Sequence, residues 1–207
     1  MKAVIFLNGE YDYKDNFLKK IIDKDTDIFC ADGGTNYCLE KGYIPKCIYG
    51  DLDSIKPEIL DKVTEMGIKT EKFPPEKDFS DFELVLEEMG YENYEKIYVV
   101  GALGKRIDFT LNNIFLMEKY NKLVILTEKE EIFFREESFT IAGKAGKTLS
   151  MVSLDREIEG ITLKGFKYPL SDRYIKRDSS ILMSNVILTD KAEIIFKKGK
   201  IVVILYI

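Results

Sequence analysis

The side chains with the most chemical promise are carboxylates set beside glycines. Asp51 and Asp53 lie in Tyr49-Gly50-Asp51-Leu52-Asp53-Ser54, directly after a short apolar run. In an extended segment residues i and i+2 point the same way, so the two carboxylates would stand together. Such a pair repels unless a cation joins it, and Mg²⁺ takes one or two carboxylates plus phosphate oxygens. An Asp capping the helix that follows is the alternative reading of the same residues. Lys77-Asp78-Phe79-Ser80-Asp81 sets Asp78 and Asp81 three apart across a helix start. Free N–H groups and the positive dipole end suit phosphate there, and a plain cap would use the same pattern. Gly101-Ala102-Leu103-Gly104-Lys105-Arg106-Ile107-Asp108 adds glycines that let backbone approach an anion, with Arg106 as a planar donor fork. It is neither the dinucleotide G-x-G-x-x-G pattern nor a Walker loop. In Ala31-Asp32-Gly33-Gly34, Asp32 could accept from a ribose or ammonium group, or the segment could be only a tight turn. Taken together, acids beside glycine loops and one Arg suit metal-assisted phosphoryl or nucleotidyl transfer.

The elements that must position them alternate. Residues 3–7, 27–31, 47–49, 68–73, 96–100 and 123–126 read as strands. Residues 16–22, 35–41, 58–66, 79–89 and 107–120 read as helices, the last with Ile107, Leu111, Ile114 and Phe115 on one stripe. This alternation predicts βαβ units, a mostly parallel sheet, and a ligand site at the carboxyl ends of its strands. From about residue 130 the pattern becomes regular short strands: EIFFRE, SFTIAG, KTLSMVSL, EIEGITLKG, SILMSNVILT, AEIIFKK and KIVVILYI. The expectation is an α/β domain over 1–129 and an all-β sandwich domain over 130–207.

Composition narrows the chemistry. The 207 residues are 45% hydrophobic and 32% charged, values of an ordinary globular protein. A net charge of −5 argues against a generic nucleic-acid or anionic-membrane binder. There is no histidine, which removes Ser-His-Asp and Cys-His catalysis and His-ligated zinc. Three cysteines without C-x-x-C spacing suggest a reducing compartment. The apolar run near the start is too short for a signal-peptide core, and the longest run, 201–207, is too short to span a bilayer. A cytoplasmic protein is expected.

In order and spacing, these motifs resemble the thiamine pyrophosphokinase family. The likeness rests on Asp32-Gly33-Gly34-Thr35-Asn36, the Pro45 to Ser54 stretch ending G-D-L-D-S, K-D-x-S-D from Lys77, and G-x-x-G-x-R-x-D from Gly101, with Leu111 and Asn113. In the second domain it includes G-F-K-Y-P-L from Gly165, and Ser184-Asn185. The resemblance implies transfer of the pyrophosphoryl group of ATP to the thiamine hydroxyl, giving thiamine diphosphate and AMP, with Mg²⁺ and a homodimer. It implies that Asp51, Asp53 and Asp81 hold the metal and serve catalysis. It places Asp32, Gly33, Lys77, Ser80, Arg106 and Asp108 around the nucleotide, and Tyr168, Ser184 and Asn185 in a thiamine pocket. The chain departs from the family's usual G-G-R-x-D-H, with Lys105 for the second glycine and Phe109 for a polar residue. Those departures keep two alternatives open: a related pyrophosphokinase acting on another alcohol such as a pterin, and a non-catalytic nucleotide or thiamine sensor.

Overall fold

The computed structural model describes residues 1–207 except Asp15, Pro75 and Lys77. Contacts divide the chain into two compact units, one of residues 1–116 and 122–128, the other of 117–121 and 129–207.

In the first unit, β1 (Lys2–Phe6), β2 (Thr26–Ala31), β3 (Cys47–Gly50), β4 (Thr70–Lys72), β5 (Lys96–Val100) and β6 (Leu123–Leu126) form a parallel sheet in the order β6-β5-β1-β2-β3-β4. The inner strands are apolar on both faces, as parallel strands covered on both sides must be; Ala3, Val4, Ile5 and Phe6 have no exposed surface. From β1 the chain winds outward through β2, β3 and β4, then crosses back to place β5 on the other flank of β1. The reversal opens a crevice at the carboxyl ends of β1 and β5. Among the described residues, four α-helices join the strands: α1 (Gly34–Glu40), α2 (Pro57–Glu65), α3 (Asp81–Glu88) and α4 (Ile107–Lys119).

The parallel sheet of the first half is as expected; several details differ. Residues 16–22 hold only a 3-10 turn, Leu18–Lys20. The helix expected from 79 starts at Asp81, because Ser80 is extended and its hydroxyl accepts the Glu83 N–H at 3.2 Å. The apolar stripe on α4 faces outward: Ile107, Leu111 and Phe115 are exposed, whereas Asn113, Leu116, Met117 and Tyr120 are buried. Periodicity defines a face of a helix without saying which face turns inward.

The second unit is an antiparallel sandwich, as the regular short strands suggest. One sheet has the order β12-β9-β14-β7, from β7 (Glu130–Arg135), β9 (Thr148–Ser153), β12 (Asn185–Val186) and β14 (Ile201–Tyr206). The other is β11-β10-β13-β8, from β8 (Phe139–Ala142), β10 (Glu157–Lys164), β11 (Leu170–Lys176) and β13 (Lys191–Ile195). Leu149, Met151, Ile158, Ile161, Ile194 and Val203 pack between them. Strand β11 was not foreseen. It is an edge strand with nearly every side chain exposed, so it lacks the apolar alternation that reveals a half-buried strand. Within 180–189 only Asn185–Val186 pairs as a strand. Cys30, Cys38 and Cys47 are buried and free. Among the described residues, no helix is long and apolar enough to cross a membrane.

Candidate active site

Strands β2 and β3 end level: Ala31 pairs with Tyr49, and the Asp32 N–H donates to the Tyr49 carbonyl at 2.8 Å. Asp32 and Asp51 therefore leave adjacent strands side by side. Oxygens of Asp32, Asp51 and Asp53 all lie within 4.8 Å of one another, with Asp32 buried, Asp51 half-buried and Asp53 exposed. Loop hydrogen bonds fix the trio. The Asp53 N–H donates to Asp51 Oδ1 at 3.2 Å, the Ser54 N–H to Asp32 Oδ1 at 3.3 Å, and the Ser54 hydroxyl to Asp53 Oδ1 at 2.9 Å. Asn36 on α1 clamps the same loop, donating to the Ser54 carbonyl and accepting from the Lys56 N–H, each at 2.9 Å.

Burial pushes the Asp32 carboxyl above its ordinary range, and the Asp81 carboxylate adds to the rise against the Ser54 hydrogen bonds. Asp81, the first residue of α3, is not in the trio but stands next to Asp32. A Cβ on Gly50 would come 3.0 Å from the Asp32 Cβ and 3.3 Å from Asp81 Oδ1. An all-oxygen set of clustered carboxylates, each accepting a hydrogen bond from a neutral loop donor, fits a hard divalent cation.

These acids line a cavity of about 570 Å³ with Asn8 and Gly9 after β1, Gly101, Ala102, Gly104, Lys105 and Arg106 after β5, and Phe109 and Asn113 on α4. Its walls are tied by backbone: Gly9 N–H to the Gly101 carbonyl and Glu10 N–H to the Leu103 carbonyl, each 2.8 Å. Asn113 is buried and donates to the Ala102 carbonyl at 2.8 Å, holding the glycine loop on α4. A Cβ on Gly33 would overlap the Asn8 amide, so a side chain there would push Asn8 from its place on the cavity wall. Three non-glycine residues on these loops have left-handed backbone, Asp32 at φ 41°, Leu52 at 70° and Lys105 at 51°. Such conformations persist only where the surroundings over-determine them, and they concentrate at functional sites.

Arg106 lines the cavity and grips Asp108 with two bonds, Nε to Oδ1 at 3.2 Å and a terminal nitrogen to Oδ2 at 2.5 Å, with Phe109 under its guanidinium at 4.4 Å. The ion pair lowers the Asp108 carboxyl and raises the Arg106 guanidinium. Asp108 and Ser80 are not on the cavity wall; Ser80 serves as the α3 cap. Lys77 lies outside the described residues. In the second unit, buried Asn185 mimics a strand partner for exposed Tyr168. Its Oδ1 accepts the Tyr168 N–H at 3.0 Å and its Nδ2 donates to the Tyr168 carbonyl at 2.8 Å. Ser184, at φ 54°, donates its N–H to the Ser150 hydroxyl at 2.9 Å. Sequence reasoning missed Asn8 and Lys105 as cavity residues. An Asn-Gly pair after the first strand was the available signal for Asn8.

The chain thus joins a cavity of acids and glycine loops on one unit to a β-sandwich as the other, an arrangement suited to a phosphoryl- or pyrophosphoryl-transfer enzyme. The model "Thiamin pyrophosphokinase, catalytic domain" matches residues 18–127, and "Thiamin pyrophosphokinase, vitamin B1 binding domain" matches residues 132–201. The chain belongs to the thiamin pyrophosphokinase family, a family of pyrophosphotransferases. It is 29% identical over 180 residues to a thiamine pyrophosphokinase of Bacillus subtilis, covering 84% of each chain. It is 24% identical to thiamine pyrophosphokinase 2 of Oryza sativa, covering 80% of this chain and 72% of that one. Among solved structures, the thiamine pyrophosphokinase of Bacillus subtilis superposes with a TM-score of 0.89 at 25% identity, over 100% of this chain and 99% of the other. That of Geobacillus thermodenitrificans gives 0.89 at 26%, over 100% and 98%. Neither a pterin-directed relative nor a non-catalytic sensor is favoured by these matches.

Proposed function

We propose that this cavity binds the polyphosphate of ATP with Mg²⁺, and that the pyrophosphoryl group passes to the primary hydroxyl of thiamine, releasing AMP. The observation that carries the reading is the convergence of Asp32, Asp51 and Asp53 within 4.8 Å on the wall of a glycine-lined cavity. Those three would hold the cation, with Asp81 beside them; the cation's contribution is to neutralise charge on phosphate oxygens. The chain's own part is alignment and fixed charge. Backbone at Gly9, Gly101 and Gly104 allows close approach of the phosphates, and Arg106, braced by Asp108, adds a permanent positive fork. In a chain without histidine, a carboxylate is the nearest base for the hydroxyl proton, and a loose transition state asks little of it. Asp81 is the residue we assign to orient that hydroxyl.

Tyr168, Ser184 and Asn185 are proposed to contact thiamine, whose cationic thiazolium favours an aromatic face. Asn185 fixes the backbone at Tyr168, whose ring is exposed. A homodimer is proposed because Ile107, Leu111 and Phe115 present an apolar helix face that a second copy would cover. The composition supports a cytoplasmic setting, with neither nucleic acid nor membrane as partner.

The test is to incubate the protein with ATP, Mg²⁺ and thiamine and to identify the products. Thiamine diphosphate with AMP is expected, and Asp53→Asn should lower turnover at least ~10²-fold, the scale of one lost electrostatic contact in the transition state. ADP or free phosphate as the nucleotide-derived product would overturn the reaction; near-normal turnover of the variant would overturn the role of the carboxylates.

A further inference from the structure

The cavity wall holds two cationic side chains among the described residues, Lys105 and Arg106, and their situations differ. Arg106 shares its charge with the Asp108 carboxylate through two bonds. Lys105 is not paired with a carboxylate among the described residues. Its Nζ donates to Asn8 Oδ1 at 3.0 Å, a neutral amide oxygen on the cavity wall. An ammonium has three N–H donors and one charge, so this bond fixes its position while leaving two donors and the full charge for a ligand.

The backbone is committed to the same end. Lys105 sits at φ 51°, where glycine is at ease and a lysine is strained. Its N–H is held by Glu10 Oε1 at 3.2 Å, and the Glu10 carboxylate occupies the space that a Cβ on Gly104 would need. A loop that served only as a turn would be better made with glycine at this position. The lysine is retained on a wall shared with Asp32, Asp51, Asp53 and Asp81, where an anion needs every cation available.

We propose that Lys105 is a polyphosphate-binding residue, its ammonium positioned by Asn8 to take a non-bridging oxygen on the phosphate chain of the nucleotide. The assignment rests on the reading of this cavity as a nucleotide site. It predicts a dependence on phosphate number that a structural lysine would not produce.

The experiment titrates wild type, Lys105→Gly and Lys105→Arg with ATP and with AMP at fixed Mg²⁺, alongside thermal unfolding. Glycine relieves the left-handed strain, so Lys105→Gly should unfold no earlier than wild type, which separates binding from folding. ATP affinity should fall about 10- to 100-fold in Lys105→Gly, AMP affinity should stay within about twofold, and Lys105→Arg should recover most of the loss. Equal ATP affinity in wild type and Lys105→Gly, or an equal loss for ATP and AMP, would overturn the lysine assignment while leaving the nucleotide site standing. Failure of the wild type itself to bind ATP would overturn both.

Discussion

Replacing Asp53 by Asn separates an electrostatic cluster from a merely polar loop without any catalytic assay. The three carboxylates approach within 4.8 Å, so each pair repels by about 1 kcal/mol with water-like screening and about 3.5 kcal/mol at an effective dielectric of 20. Asp53 is exposed, which puts its two repulsions near the lower figure. Asparagine keeps an Oδ1 to accept from the Ser54 hydroxyl, now at 2.9 Å, so little but charge is lost. Without divalent cation the variant should therefore be about 1–2 kcal/mol more stable than wild type, or about 2–8 °C in Tm for a chain of this size. Adding Mg²⁺ should raise the wild-type curve by about 1.4 kcal/mol at tenfold excess over Kd, and the variant far less. Differential scanning fluorimetry across an Mg²⁺ series reads both effects. A variant that is less stable without cation, yet gains as much from Mg²⁺ as wild type, would show that these carboxylates share no ion.

Two further substitutions test the scaffold. The Tyr94 hydroxyl donates to Asp27 Oδ2 at 2.6 Å beside Lys46 Nζ at 2.8 Å; burial pushes the Asp27 carboxyl up, but these two partners outweigh it and hold the group below its usual range. Its stabilisation is full above the ordinary carboxylate pKa and is lost as pH falls through the lower folded value. Tyr94→Phe should thus cost about 1.5 kcal/mol at neutral pH and progressively less below about pH 4, followed by urea unfolding; a gap independent of pH would contradict this account. Asn185→Leu removes three hydrogen bonds at a buried position, two from Tyr168 and Val186 N–H groups and one to the Tyr168 carbonyl. A loss of about 3 kcal/mol is expected by the same unfolding assay, and a loss under about 1 kcal/mol would mean that water replaces the amide.

The inner strands were legible because both faces are covered and the residues run apolar without interruption; β5 and β6 fall where their sequences place them. The first turn of α3 was less legible, since Ser80 and Asp81 suit a cap and an anion site equally and the structure gives Ser80 the cap. The Asp51–Asp53 pair could be seen from spacing alone. That Asp32 completes their triangle could not, because it depends on β2 and β3 ending level, a register between strands that no local pattern encodes. Asn8 and Lys105 meet across 97 positions of chain, beyond any motif. The outward turn of Ile107, Leu111 and Phe115 on α4 reversed what an apolar stripe ordinarily signals.

The central place of β1 bears on how the molecule comes into being. Lys2 registers with Thr26 on one side and with Lys96 on the other, so one neighbour is met early along the chain and the second only about seventy residues later. Closing so long a span precedes the reward of its contacts, and folds dominated by distant pairings reach their native state slowly. Until residues 96–100 dock, the glycine loop that follows has nothing to lean on and the crevice does not exist. If the crevice binds nucleotide as proposed, nucleotide would favour only molecules that have already completed this topology, and its uptake during refolding would mark the moment the sheet is whole.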